Sequence, residues 1–289
     1  MGRTNIFDLL SQNNDYERDT ERLFKLFDEE TFTIIGNDRL TLKDFVDRYC
    51  FQTWPNRGRC LDADDFLETL GYEDHPEYIP DDVDDFLTII EVIYNFYYIA
   101  VKYIKSNPNK AISVRRTADI LKKLMDDCLS EYNQKAYCFE DKQLCLISED
   151  SQQVTAAAEA SEPEIAIDIV RYNHRQLAGD IAKKKAILKT LGDDLEGRKK
   201  EISNINATLY KNITGALNNL NIRHNNTNPE NKSYYHKAVA EMPQKELESH
   251  YDDLYQLILL AILEMDNVQR QRDMSDLIQK VCEKEKAET

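Results

Sequence analysis

Glycine and proline are scarce in this chain, eight and seven of 289 residues, and tryptophan occurs once. So few helix breakers exclude collagen-like, low-complexity and turn-rich all-β designs, and predict a mainly α protein. Long apolar runs are missing too. The longest, 257–263, has seven residues, where a transmembrane helix needs about 20, so no membrane association is expected. Met1 to Phe7 hold no apolar core of signal-peptide length. Neither H-E-x-x-H, C-x-x-C nor a glycine-rich phosphate loop occurs, so neither metal nor cofactor is expected. Basic charge is in short supply: 37 Lys and Arg face 53 Asp and Glu, a formal charge of −16. That excludes a broad nonspecific grip on a nucleic-acid backbone, which needs clustered cations, and leaves room only for a local basic site.

Six cysteines are present: Cys50, Cys60, Cys128, Cys138, Cys145 and Cys282. Without zinc-type spacing they read as reduced, mostly buried thiols of a cytoplasmic protein. Cys138 and Cys145 face each other across an expected hairpin turning at Glu140-Asp141, where packing is favoured over a redox switch.

At 289 residues the chain has material for two domains. Residues 1–148 read as a bundle of short helices closed by the small β-hairpin. Helices are expected over 15–27, 41–54, 62–70, a long stretch after Pro80, and 113–132. Thr41 with Asp44 forms a capping box. The acidic runs at 62–65 and 81–85 fall in first helical turns, where carboxylates cap free amides; they lack the glycine and closing Glu of a calcium loop. Tyr94, Phe96, Tyr97 and Tyr98 stand at helical spacing and read as core before base stacking. The loop 54–60, with Arg57 and Arg59, is a candidate for a phosphate or a protein partner. The next segment, 149–160, is polar and then alanine-rich, and reads as a linker or a frayed helix.

Residues 161–289 carry the stronger pattern. Ser161, Pro163 and Glu164 mark a helix start. An apolar stripe follows at Ile167, Val170, Leu177, Ile181, Leu188 and Leu191, with His174 on a stripe position. Gly192-Asp193-Asp194 reads as a stop and a new cap. A second helix to about 222 carries Leu195, Ile202, Leu209, Ile213 and Leu217 on one face. Two arms of roughly 45 Å should therefore fold back as a coiled-coil-like antiparallel hairpin turning at Gly192-Asp193. A closing helix, 244 to about 270, is apolar on all sides between Leu257 and Leu263. Such a helix is deeply buried or shared with a second copy, and predicts a homodimer.

Continuing the second arm's stripe places Arg223 and His224 on inward positions, followed by Asn225 and Asn226. A cation and an imidazole there need partners or a task. A long helical hairpin, then Arg-His-Asn-Asn, a loop and a closing helix beginning Tyr251-Asp252-Asp253-Leu254-Tyr255 resemble the HEPN superfamily and its bacterial abortive-infection members. The resemblance spans about 161–285. It implies an all-helical, dimeric, metal-independent ribonuclease of phage defence or a toxin–antitoxin type system. In that reading Arg223 holds a phosphate, and a histidine assists attack by a ribose hydroxyl. The family's second histidine, four to six residues on, is absent here. Either His224 serves as base, His236 reaches back, or the site is noncatalytic. Lys183, Lys184, Lys185, Arg198, Lys199 and Lys200 form the basic stretch that would contact RNA. The competing reading is a noncatalytic interaction or adaptor protein in which Arg223, His224 and Asn225 form a buried latch, and whose N-terminal domain takes a protein partner or inhibitor.

Overall fold

We describe a computed structural model of the chain, covering residues 15–72 and 78–287 with side chains to Val281. The leader reading of Met1 to Phe7 lies outside the described residues. The fold is mainly α. The chain divides into two compact units, Met1–Glu149 and Asp150–Thr289.

In the first unit, α1 (Tyr16–Phe24) is capped by Asp15, α2 (Leu42–Tyr49) by Thr41, α3 (Ala63–Thr69) by Asp62 and α4 (Val83–Ser106) by Asp82. The two acidic runs do act as caps: Asp62 and Asp82 accept from the amides of Asp65 and Asp85 at 2.8 and 2.9 Å. Helix α4 is the core element, burying Phe86, Ile90, Ile93, Phe96 and Ala100. It has the length and apolar content of a membrane span, a test that a mostly buried core helix also passes. It packs against α1, α2 and α5 (Arg116–Glu131).

Sequence periodicity misses a small sheet. Strands β1 (Thr33–Ile35), β2 (Asp38–Leu40) and β3 (Ile112–Val114) pair antiparallel in the order β2-β1-β3. Consequently the helix expected from 113 starts at Arg116, because Thr33 pairs with Val114 and Ile34 with Ser113. The expected hairpin is present as β4 (Gln134–Phe139) and β5 (Leu144–Glu149), with Cys138 opposite Cys145. Two polar side chains tie it to α4. Asn95 donates to the Cys145 carbonyl and accepts from its amide, both at 2.8 Å, and Glu91 accepts from the Ile147 amide at 2.8 Å. Cys138 and Cys145 are joined as a disulfide across a Cα separation of 4.1 Å. This corrects the reduced-thiol reading for that pair, and weakens cysteine usage as an argument for a reducing compartment. Cys50, Cys60 and Cys128 are free and buried.

The second unit opens with α6 (Gln152–Glu159), capped by Ser151 and burying Val154 and Ala157. The segment read as a linker or a frayed helix is therefore a packed helix, in contact with α7 (Pro163–Tyr172) and the closing helix. Glu162, not Ser161, occupies the cap of α7, and the Ser161 hydroxyl donates back to Ala157 at 2.8 Å. The first expected arm is broken after Tyr172 by a 3₁₀ turn (Arg175–Leu177) and by Gly179 at φ +76°.

Then α8 (Ile181–Gly197) and α9 (Lys199–Asn219) are parted only at Arg198. The reversal does not lie at Gly192, which is helical. It lies at Asn206 (φ −149°, ψ 81°), inside α9, whose side chain accepts from the Leu209 amide at 3.0 Å and so caps the returning arm. Leu217 packs on Gly192, a pairing that demands a turn near 205; a turn at Arg198 would set Gly192 beside Asn204. Glycine at 192 thus serves close approach and not a turn: a Cβ there would stand 2.5 Å from Leu217 Cδ1, a side-chain end that would have to shift. After α10 (Lys237–Ala240), the closing helix α11 runs unbroken over Gln244–Ala287, about 65 Å and well past the expected end near 270. Its first half fills the core with Tyr251, Leu254, Tyr255, Ile258, Ile262 and Met265.

Candidate functional site

Helix α9 stops at Asn219, and Asn221 takes a left-handed backbone (φ 59°). Arg223 therefore leaves the helical stripe, correcting the periodicity that placed it there. The turn still carries it inward: its amide donates to the Leu217 carbonyl at 3.0 Å. Its guanidinium donates to the Gly192 carbonyl at 2.8 Å and pairs with Glu196 at 2.8 Å and Asp193 at 3.3 Å. The arginine side chain is 13 % exposed, its two carboxylates more than half exposed. One cation thus meets two anions, a local balance that opposes phosphate binding.

Asn226 is fully buried and organises the loop. It accepts from the Asn221 amide at 2.8 Å, donates to the Tyr234 carbonyl at 2.7 Å, and its own carbonyl accepts from the His236 amide at 2.9 Å. These bonds close residues 226–236 into a loop, setting the His236 backbone beside the tetrad. His224 is half-buried and stacks on Tyr234, ring centres 4.0 Å apart and planes 15° from parallel. Asn225 and His236 are exposed, with Asn225 accepting from the Thr227 hydroxyl at 3.2 Å. His174 is buried as expected, but it caps the 3₁₀ turn through the Gln176 amide instead of sitting mid-helix.

The basic stretch does not form one surface. Lys183–185 and Arg198–Lys200 sit at opposite ends of α8, about 22 Å apart. Lys184 is buried: its ammonium meets Glu248 and Asp252, each at 2.8 Å, and lies 5.1 Å from the Tyr172 ring centre. Burial alone would pull its pKa down, but the two carboxylates outweigh this and hold it above the ordinary lysine value. Tyr172 also donates to Asp252 at 2.9 Å and stacks on Tyr255 at 4.1 Å, while Tyr255 donates to the Ile169 carbonyl at 2.7 Å. Lys184 thus holds α8 and α7 on α11 and is not presented to solvent, a correction to its reading as an RNA contact. Lys183 pairs with Asp180 at 3.0 Å and Arg198 with Glu201 at 3.2 Å. Lys185 is half-buried, and burial lowers its pKa. Lys199 and Lys200 are exposed.

Sequence reasoning missed a groove in the first unit. Tyr94, Phe96 and their neighbours are core as expected. Tyr97 and Tyr98, however, are only half-buried, and with Lys102, Lys105 and Lys122 they line a recess of about 320 Å³. Lys122 is tied to Asp126 and lies 5.1 Å from the Tyr94 ring centre, and Lys102 donates to the Glu140 carbonyl at 2.7 Å. In the loop 54–60, Arg57 donates to the Cys60 carbonyl, while Arg59 is exposed. Among the described residues, no cluster of His, Cys, Asp and Glu has the makings of a metal site.

No family model, curated protein or solved structure matches this chain.

Proposed function

We propose that this chain is a noncatalytic helical interaction protein, a homodimer in which the Arg223 cluster is a polar latch holding the second unit's hairpin closed. The observation that carries this reading is the occupancy of Arg223. One guanidinium nitrogen, Nη2, meets the Gly192 carbonyl, Asp193 and Glu196, while Nε is buried without a hydrogen-bond partner, so two carboxylates face the one cation. Polar groups on the seam of a helical hairpin can fix its register at a cost in stability. The groove of the first unit is where a protein partner or inhibitor would meet this adaptor.

A second reading, a HEPN-like metal-independent ribonuclease of phage defence, draws support from one feature. The closed loop brings the His236 backbone onto Asn226, two residues from His224, and histidine is the side chain most often used for general acid–base work. One experiment separates the two. Wild type and Arg223→Ala/His224→Ala are incubated with total RNA in EDTA, and both are melted by circular dichroism. A latch predicts intact RNA in each sample and an earlier melt for the variant. Cleavage by the wild type alone, leaving cyclic-phosphate ends, overturns the latch.

A further inference from the structure

From Gln269 to Val281 every residue of α11 is exposed. A free helix in water normally shows polar residues all round, and this one does not. Met274, Leu277, Ile278 and Val281 are each about half exposed or more, at steps of three, four and seven that keep them on one face. The stripe extends back onto the body of the unit through Leu260, 45 % exposed, and the half-buried Leu263. A heptad frame fits throughout, with Leu260, Asn267, Met274 and Val281 on one seam position and Leu263, Arg270 and Leu277 on the other. All of these, with Ile278, fall within an arc of about 100° at 3.6 residues per turn.

We infer that this stripe is a two-stranded parallel coiled coil with a second copy of the same chain. The inference supplies the surface for the homodimer of the reading above, and rests on that reading only for the expectation of self-association. Two features select a copy of this chain over a foreign helix. Asn267 stands alone as a polar residue on its seam position, where two asparagines facing across a parallel pair satisfy each other and fix register and strand number. The charge is also self-compatible. The chain carries −16 overall, yet residues 266–281 hold three acidic side chains (Asp266, Asp273, Asp276) and three basic ones (Arg270, Arg272, Lys280). Two such helices approach without the like-charge repulsion that would separate two bodies of this protein elsewhere. Arg270, the least apt seam residue, is neutralised within its own helix by Asp266.

The experiment uses the full chain. Sedimentation velocity from about 1 to 50 µM is run on wild type and on Met274→Glu/Leu277→Glu, with melting followed by circular dichroism. These side chains are exposed, so the variant keeps the wild-type melt of the body while its dimer is lost, with Kd raised at least 100-fold. In parallel, Asn267→Cys cross-links to its own partner on mild oxidation. A monomeric wild type at 50 µM, or a dimer indifferent to both glutamates, overturns the inference. A dimer lost with the glutamates but not cross-linked at 267 overturns the parallel arrangement. None of these outcomes bears on Arg223, so failure here is distinguishable from failure of the latch.

Discussion

Lys184→Ala removes the ammonium that joins α8 to Glu248 and Asp252 on α11. A charge-assisted hydrogen bond contributes about 1.5–3 kcal/mol, and removing one member of a fully buried ion pair costs about 3–5 kcal/mol. This pair is only partly buried: Glu248 is 20 % exposed and Asp252 49 %, so solvent screening takes the sum to the lower end. We expect a loss of about 2–3 kcal/mol, or roughly 4–12 °C in the melt of a unit this size. Lys184→Met keeps a stem against Tyr172 but leaves both carboxylates unpaired, and should recover only part. The pH dependence has a definite sign. Glu248 is held below its ordinary 4.5 by the Lys184 bond and by the Gly179 amide. Its contribution is present above that value and fades as pH falls through the lowered pKa. Lys184 is raised above 10.5, so its contribution is intact below that value and fades as pH rises beyond it. Urea titrations of wild type and variant should therefore differ most between these limits and converge in acid. A difference under about 0.5 kcal/mol at pH 7 would show that desolvation cancels the attraction, and would refute the reasoning.

Further expectations concern backbone contact, the latch and the hairpin. Gly192→Ala should destabilise by about 1–2 kcal/mol, because overpacking against Leu217 outweighs the gain of about 1 kcal/mol in helix propensity. In a Leu217→Ala background the same change should turn stabilising, and an unchanged sign in chemical denaturation contradicts the close approach. Arg223→Ala should cost about 1–2 kcal/mol, with a coupling to Glu196→Gln of about 0.5–1 kcal/mol in a double-mutant cycle; additivity would dissolve the latch. The Cys138–Cys145 bond closes a loop seven residues apart in sequence, so reduction should lower stability by about 2.5 kcal/mol at most. Thiol titration of the unfolded chain should find two fewer groups before reduction of this bond than after it; an unchanged count would mean the bond is absent.

What was legible in the sequence was local. Thr41, Asp62 and Asp82 each bond an amide three residues on, a relation complete within one turn, whereas the same cap at Ser151 was missed in a segment read as a linker or a frayed helix. The β4–β5 pairing was legible for the same reason. The three-residue strands β1, β2 and β3 were not, being too short for alternation to register. Gly192 was misplaced as a stop because its purpose lies 25 residues away, at Leu217. The true turn was hidden because apolar spacing runs through Asn206 undisturbed, from Ile202 to Leu209. Lys184 reads as one of three solvated lysines until Glu248 and Asp252, more than sixty residues on, are brought beside it. At the candidate site the residues were legible and their arrangement was not. Arg223 does turn inward, but through a left-handed Asn221 and not by helical continuation.

The continuity of α11 has a consequence for how its exposed half holds its shape. A lone helix of some twenty residues is marginal in water, because its first turn must form before any hydrogen bond offsets the entropy lost. Here the buried turns around Tyr251 to Met265 serve as that first turn, and the remainder only has to propagate. Amide exchange along it should form a gradient, slow beside the core and quickening toward the tip as the end frays. Anything that clasps the tip would flatten that gradient, so the backbone beyond Gln269 is itself a reporter of occupancy.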